Sequence, residues 1–293
     1  MTRFRFIFLV SLLCIAHYSN AVVIKLTTSN NPLKIDSALI IPLKRIDNLL
    51  FIEASVDGQY GNFLFDTGAP YLVLNKTYVK NFNEQRGEKS LGINGEGSTI
   101  NKIWVDTLCL NKNCATTFKA DVATLSQLEN NKGIKILGLL GTSIFENCLL
   151  EIDLQKSKLS IFAHPGKNYL AKVDSILPDI ETQLYTIGNI PFLEIIVNEK
   201  KLLMCFDTGA EANVFSIKNS KKVLDSYIIS KKGSVIGSGS QKMEVLTGSI
   251  AFFQLGNTTF FAQQALLANI SNLETAYAVK FNGILGTNFM EEG

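Results

Sequence analysis

Histidine and net charge are both scarce in this sequence. Its 293 residues include two histidines, His17 and His164, and only His164 lies beyond the first 21 residues. His164 stands beside Pro165 in a polar stretch with the character of a surface loop, so a serine or cysteine protease with a histidine base is disfavoured. The net charge of +2 gives no electrostatic basis for nucleic-acid binding, and we expect no nucleic-acid partner.

Long apolar runs are missing after the N-terminus. A single long apolar run, at 6–16, lies near the start of the chain; it follows Arg3 and Arg5 and precedes small residues at 19–21. This pattern predicts a signal peptide over residues 1–21 and export, periplasmic or secreted, with an uncleaved N-terminal anchor as the alternative. No later segment has the roughly 20 apolar residues of a membrane span, so we expect no span once the signal is removed.

Cysteine is also rare. Of the five cysteines, Cys14 lies in the predicted signal peptide. Cys109 and Cys114 flank a stretch typical of a hairpin loop, which predicts a disulfide between them in an oxidising compartment. Cys148 and Cys205 lie among apolar residues and are expected to be buried thiols. The spacing fits no zinc site, and we expect neither a metal nor a cofactor.

Apolar residues are plentiful. Hydrophobic residues make up 46% of the chain and charged residues 18%, enough for one large core or two of ordinary domain size. Most apolar segments are short runs of β-branched or aromatic residues separated by Gly, Asn and Lys. The best helical candidates are 143–147 and 218–226. The sequence therefore predicts a mainly β protein.

Two copies of one short motif organise the chain. Phe-Asp-Thr-Gly-Ala occurs at 65–69 and again at 206–210, each time after a predicted hairpin of two strands. Burial of an isolated Asp carboxylate is costly or forces protonation. If Asp66 and Asp207 face one another, they can share that cost by holding one proton between them. This pair is therefore the candidate for acid-base chemistry.

The repetition extends beyond these motifs. Gly95-Glu96-Gly97 follows the first Asp at about the interval at which Gly237-Ser238-Gly239 follows the second. Gly-Leu-Leu-Gly-Thr at 138–142 is echoed by Gly-Ile-Leu-Gly-Thr at 283–287. A period of roughly 140 residues is too long for a solenoid and fits two domains of common size. The chain is therefore predicted to be a tandem duplication.

Turn signals and the repeat set the predicted domain boundaries. We expect a polar leader without its own core at 22–37, an N-terminal lobe at 38–165, a linker at 166–184 and a C-terminal lobe at 185–293. The first copy continues into a predicted strand pair over 149–162, whereas the second ends shortly after Met290. The C-terminal lobe is therefore expected to be truncated, or to close with the strand near 38–43.

The repeated motifs resemble those of the aspartic proteases of the retropepsin and pepsin group. The Asp-Thr-Gly-Ala motif, the Gly-rich hairpin and the apolar-apolar-Gly element recur in that order, twice, over residues 38–290. The chain is most similar to exported bacterial proteins with two retropepsin-like domains. This resemblance implies an all-β fold of two tandem β-barrel lobes related by a pseudo-twofold axis. It also implies a monomer with a cleft for an extended peptide or protein substrate.

The resemblance implies roles for individual residues as well. Asp66 and Asp207 would be the catalytic dyad of an aspartic endopeptidase, which hydrolyses peptide bonds by general acid-base activation of a water. The hairpins at 95–97 and 237–239 would be flaps that bind and cover the substrate. The residues that would lock the active-site loops together or permit their turns are Thr67, Thr208, Gly68 and Gly209.

Two alternatives to proteolysis are open. A catalytically weak or inactive module would bind extended peptides or a protein partner by strand addition. Retention of both Asp residues argues against a pure binder. A metal bound by the two Asp residues is a third possibility, disfavoured because no histidine lies near either motif.

Overall fold

The structure is a computed structural model that describes residues 21–25, 38–79, 85–89, 99–162, 180–236 and 242–292. Strands dominate these residues, so the predicted all-β class is confirmed. Residues 1–20 of the predicted signal peptide and most of the predicted linker lie outside the described ranges.

Strands and short helices alternate along the described chain. The strands are β1 (Ala21–Lys25), β2 (Ala38–Pro42), β3 (Lys44–Ile46), β4 (Leu49–Val56), β5 (Gln59–Phe65), β6 (Val73–Asn75), β7 (Gln85–Lys89), β8 (Thr99–Leu110), β9 (Asn113–Ala123), β10 (Ile136–Leu140), β11 (Leu149–Asp153), β12 (Lys158–Phe162), β13 (Leu184–Ile187), β14 (Ile190–Val197), β15 (Lys200–Phe206), β16 (Asn213–Ser216), β17 (Tyr227–Ile236), β18 (Lys242–Leu255), β19 (Thr258–Ala268) and β20 (Gly283–Leu285). The helices are α1 (Ser126–Lys132), α2 (Lys221–Leu224), α3 (Ser271–Tyr277) and α4 (Thr287–Glu292), with a 3₁₀ helix over Thr142–Phe145.

Two six-stranded barrels form the body of the molecule. In the N-terminal barrel the strand order is β4-β5-β10-β6-β9-β8, and β8 closes the ring on β4 where Ser55 lies opposite Cys109. The C-terminal barrel repeats this order as β14-β15-β20-β16-β19-β18, closed where Ile196 lies opposite Gln254. The predicted fold of two tandem barrels is therefore confirmed.

The first Gly of each repeated Gly-Leu-Leu-Gly or Gly-Ile-Leu-Gly motif, Gly138 or Gly283, has a packing role. Strands β10 and β20 are central, since each pairs in parallel with the strand that leads to an Asp motif and antiparallel with β6 or β16. A Cβ atom on Gly138 would lie 2.2 Å from the carbonyl oxygen of Val73, and one on Gly283 would lie 2.2 Å from that of Val214. Glycine is required at both positions because the neighbouring backbone leaves no room for a side chain.

The C-terminal barrel closes with its own strands and does not borrow the strand near 38–43, which pairs with β12 of the first copy. Its six strands form a complete ring. After β20, helix α4 packs Phe289 against Phe253 and Phe260, at ring-centroid distances of 6.0 and 5.0 Å. The barrel interior is therefore covered by helix α4, which directly follows the Gly-Ile-Leu-Gly motif at 283–286.

A separate four-stranded sheet contains the predicted strand pair of the first copy. Its order is β1-β11-β12-β2, with Ile40 of β2 opposite Ser160 of β12 and Val23 of β1 opposite Glu151 of β11. The strand near 38–43 thus completes this sheet. The segment expected to be a leader without a core also contributes a strand, because Ala-Val-Val-Ile-Lys is rich in the β-branched residues that favour extended backbone.

Cys109 and Cys114 form a disulfide across the turn between β8 and β9, with 2.05 Å between their sulfur atoms. The two residues lie opposite each other in the strand register. Cys148 and Cys205 are buried and are not part of a disulfide. In the described ranges, no helix combines the length and the apolar character needed to cross a bilayer.

Candidate active site

Each Asp motif begins where a central barrel strand ends. Asp66 directly follows β5, and Asp207 directly follows β15. The backbone N–H of Asp66 donates to the carbonyl oxygen of Leu140 at 3.1 Å, and that of Asp207 donates to Leu285 at 2.9 Å. The parallel pairing with β10 or β20 therefore extends one residue past the strand end and fixes the point at which each Asp leaves the sheet.

Thr67 and Thr208 join the two Asp loops by four reciprocal hydrogen bonds. The N–H of Thr67 donates to Oγ1 of Thr208 at 3.0 Å, and the N–H of Thr208 donates to Oγ1 of Thr67 at 2.9 Å. Each hydroxyl then donates, at 2.7 Å, to the carbonyl oxygen of the Phe that precedes the opposite Asp, Phe206 or Phe65. Both threonines are fully buried, so water does not compete for these bonds.

Each Asp carboxyl group lies against the glycine of the opposite loop. A Cβ atom on Gly68 would be 2.5 Å from Cγ of Asp207, and one on Gly209 would be 2.5 Å from Cγ of Asp66. Any side chain at either glycine would collide with a carboxyl group. The two glycines therefore allow the loops to approach until the carboxyl groups of Asp66 and Asp207 lie close enough to interact directly. We call this pair the Asp dyad.

The surroundings of the Asp dyad favour one shared proton. Burial is the largest cause that raises the pKa of both carboxyl groups, and the charge of Asp207 raises the pKa of Asp66 further, well above its usual range. Backbone groups oppose this rise, since the N–H of Ala69 donates to Oδ1 of Asp66 at 3.1 Å and that of Gly209 donates to Oδ1 of Asp207 at 2.8 Å. Both Asp residues keep partial solvent exposure. A carboxylic acid and a carboxylate in contact can supply a general acid and a general base together.

Lys132, the last residue of α1, contacts the loop that follows Asp207. Its ammonium group pairs with Glu211 of the C-terminal barrel and, at 2.6 Å, with Asp47 of its own barrel. The Lys132 side chain is only 7% exposed, whereas those of Asp47 and Glu211 are 62% and 43% exposed. Burial lowers the pKa of Lys132, but its hydrogen bonds with the two carboxylates outweigh burial and raise the pKa above its usual value. The ammonium group therefore links the two barrels as a charged group.

Tyr277, the last residue of α3, contacts the loop of Asp66. Its hydroxyl donates to the carbonyl oxygen of Gly68 at 2.9 Å, and its ring stacks on Phe281 with 5.8 Å between centroids. Burial raises the pKa of the Tyr277 hydroxyl well above its usual value, and it does the same for the thiol of Cys205, which faces the Asp dyad. Both groups are therefore neutral.

The sequence predictions missed Lys132 and Tyr277, although a signal was present. Ser-x-Leu-Glu occurs at 126–129 and again at 271–274, and it begins α1 and α3. Lys132 and Tyr277 are each six residues after that Ser, so they occupy the same position of the repeat. Alignment of the two copies over this stretch identifies the position, but the different residue types conceal that both contact the opposite Asp loop.

The predicted flaps, 95–97 and 237–239, lie outside the described residues. Within the described ranges, no group of three or more His, Cys, Asp or Glu residues is arranged to hold a metal ion.

Comparison with known proteins finds similarity among solved structures alone. No protein-family model matches this sequence, and no curated protein matches it. Among solved structures, a crystal structure of a retropepsin-like aspartic protease from Rickettsia conorii matches at 22% sequence identity and a TM-score of 0.32, over 50% of this chain and 95% of that chain. Similarity at this level assigns no activity, so the functional proposal rests on the Asp dyad.

Proposed function

We propose that this chain is an aspartic endopeptidase that hydrolyses peptide bonds at the Asp dyad. The observation that carries the proposal is the placement of each Asp carboxyl group directly against the glycine of the opposite Asp loop, which brings Asp66 and Asp207 together. Two carboxyl groups in contact share one proton, because like charges at that distance cannot both ionise freely. The motif resemblance to aspartic proteases points to the same chemistry.

In the proposed mechanism Asp207 is the base and Asp66 the acid. The shorter backbone hydrogen bond to Asp207, 2.8 Å from Gly209 against 3.1 Å from Ala69 to Asp66, supports this assignment because it favours the charged form of Asp207. Asp207 accepts a proton from a water whose oxygen attacks the substrate carbonyl carbon, while Asp66 donates its proton to the carbonyl oxygen. Asp207 then protonates the leaving nitrogen, the C–N bond breaks, and Asp66 recovers a proton from the tetrahedral intermediate. The Asp dyad ends as it began, with one proton.

The proposed substrate is a peptide or protein segment in extended conformation. The two Asp loops come from different barrels, so a substrate at the Asp dyad would lie between them. Both Asp residues belong to one chain, and the proposed active unit is therefore a monomer. Export to the periplasm or beyond is part of the proposal, since it rests on the N-terminal sequence pattern alone.

Cleavage of an unfolded protein or a mixed peptide library between about pH 3 and 8 tests the proposal. Asp66→Asn and Asp207→Asn should each reduce cleavage at least about a hundredfold, because each removes one half of the acid-base pair. Asp225→Asn is the matched control, since Asp225 is an exposed residue of the C-terminal half that pairs with Lys221. It should leave cleavage unchanged.

Either of two results would contradict the endopeptidase proposal. The first is full activity in one of the Asn variants, and the second is no cleavage by the parent protein across the whole pH range. In the second case, binding of extended peptides by the inert parent, measured by fluorescence anisotropy, would support the peptide-binding module instead.

A further inference from the structure

A single peptide group connects the hydroxyl of Tyr277 to Asp66. The carbonyl oxygen of Gly68 accepts the Tyr277 hydroxyl at 2.9 Å, and the N–H of the same peptide group, which belongs to Ala69, donates to Oδ1 of Asp66 at 3.1 Å. A peptide group whose carbonyl accepts a hydrogen bond becomes a better donor at its N–H, because both bonds polarise it in the same direction. Tyr277 can therefore influence the Asp66 carboxyl through this peptide group.

Asp207 has a different arrangement. Its Oδ1 accepts the N–H of Gly209 at 2.8 Å. The residue at the Tyr277 position of the first copy is Lys132, whose ammonium group binds the carboxylates of Asp47 and Glu211. The Tyr277 hydroxyl thus acts on Asp66 through the peptide group between Gly68 and Ala69. The two members of the Asp dyad are therefore not equivalent.

We propose that Tyr277 is a positioning residue that strengthens the hydrogen bond from Ala69 to Asp66 through the peptide group between Gly68 and Ala69. A stronger donor stabilises the negatively charged form of Asp66. Tyr277 therefore opposes the rise in the pKa of Asp66 that burial and Asp207 impose. As a statement about proteolysis this inference rests on the proposed function, but the titration of Asp66 can be measured without it.

Few titratable groups lie near Asp66 and Tyr277 in the described structure, so a titration of the Asp dyad can be interpreted directly. The titratable groups that face Asp66 and Tyr277 in the described structure are Asp207 and Cys205. Burial keeps the Cys205 thiol and the Tyr277 hydroxyl protonated where the Asp dyad titrates. Replacement of Tyr277 by Phe therefore changes no charge, keeps the ring that stacks on Phe281, and removes the donor to Gly68.

Tyr227 provides a matched control in the same barrel. Tyr227 is buried, and its hydroxyl, like that of Tyr277, bonds to backbone carbonyl oxygen; it lies 2.8 Å from that of Leu246 and 2.5 Å from that of Ala265. These carbonyl groups belong to β18 and β19 rather than to an Asp loop. Tyr227→Phe thus makes the same chemical change without removing the bond to Gly68.

The test is a pH titration of the full chain labelled with ¹³C at the Asp carboxyl groups, followed by NMR. The signals of the Asp dyad are assigned by their loss in Asp66→Asn and Asp207→Asn. In Tyr277→Phe the higher macroscopic pKa of the Asp dyad, which reports loss of the proton held by Asp66, should rise by about 0.2 to 0.6 units, because the bond from Ala69 to a charged acceptor loses part of its strength. In Tyr227→Phe it should stay within about 0.1 unit of the parent value.

Equal titrations in Tyr277→Phe and the parent, or equal shifts in both Phe variants, would overturn the inference. If Tyr277→Phe does not fold, 3-fluorotyrosine at position 277 replaces it, because fluorine strengthens the hydroxyl as a donor and should shift the pKa downward; no downward shift would again overturn the inference. If the parent protein cleaves no peptide but Tyr277→Phe still shifts the pKa of the Asp dyad as expected, only the proposed function is refuted. In an active enzyme, the alkaline limb of kcat/KM, which reports the acid Asp66, should move upward in Tyr277→Phe alone.

Discussion

At the scale of single residues, the Asp dyad is a source of instability in the folded protein. Burial and mutual proximity raise the pKa of both carboxyl groups. Between the ordinary carboxyl pKa and these raised values the folded state binds more protons than the unfolded state. The free energy of unfolding must therefore fall as the pH rises through that interval, and the loss persists above it.

Asp66→Asn should consequently stabilise the protein at pH 7. The amide has a similar shape, can still accept the N–H of Ala69, and removes one charge from the pair. We expect the free energy of unfolding in urea to rise by at least about 1 kcal/mol at pH 7, since one pKa unit corresponds to about 1.4 kcal/mol. The gain should shrink at pH 3, where the carboxyl groups of both states are protonated.

The exposed Asp225→Asn variant is the control for this stability measurement, and it should show no gain at pH 7. An Asp66→Asn protein that unfolds more easily than the parent at pH 7 would contradict the idea that the Asp dyad is held at a cost in stability.

At the scale of elements, α1 and α3 occupy the same place in the two copies and use their last residues differently. α1 ends in Lys132, which forms an ion pair between the barrels, and α3 ends in Tyr277, which donates a hydrogen bond between them. The ion pair depends on charge, whereas the Tyr277 bond involves a neutral donor and a neutral acceptor. The two contacts should therefore respond differently to pH.

Lys132→Met should lower the free energy of unfolding by about 1 kcal/mol at pH 7, a modest loss because Asp47 and Glu211 are themselves largely solvated. The pKa of Lys132 is raised above 10.5 in the folded state, so its contribution is complete below that pH and disappears as the pH rises through the raised value. Urea unfolding from pH 7 upward measures both effects.

Lys221→Met serves as the comparison for Lys132→Met, because Lys221 pairs with Asp225 on an exposed helix surface. Its loss should change stability by no more than about 0.5 kcal/mol. Equal losses in the two variants would indicate that the contact between the barrels adds nothing.

The parts of the fold that the sequence predicted are those with local signals. Apolar strands with turn residues between them identify the hairpins that lead to Asp66 and Asp207, and the repeat places both motifs. The helices α1 and α3 were missed because neither has a buried residue, so no apolar face repeats at helical spacing. The contacts of Lys132 and Tyr277 join residues far apart in sequence, so the repeated Ser-x-Leu-Glu motif marks their position in each copy but does not reveal what they touch.

At the scale of the whole molecule, the threonine pair is the part of the connection between the barrels that lies at the Asp dyad. Thr67→Val removes a hydroxyl that donates to Phe206 and accepts from Thr208, and it leaves both buried backbone groups without that partner. We expect the free energy of unfolding to fall by about 2 to 4 kcal/mol. Cleavage should fall as well, because the loops that hold the Asp dyad are no longer fixed.

Thr67→Ser keeps the hydroxyl and removes only a methyl group, so it should lose no more than about 1 kcal/mol. The same comparison at Thr208 should give matching results, since its bonds mirror those of Thr67. A Val variant as stable as the Ser variant would show that the reciprocal bonds contribute little to holding the halves together.

The presence of Lys132 and Tyr277 at one repeat position has an evolutionary consequence. An enzyme assembled from two identical chains must carry every substitution on both sides of its axis, because a symmetric interface uses the same residues twice. A chain that contains both copies is free of that restriction. Each half can acquire changes separately, so one side of the active site can adapt to a substrate while the other preserves the ancestral arrangement.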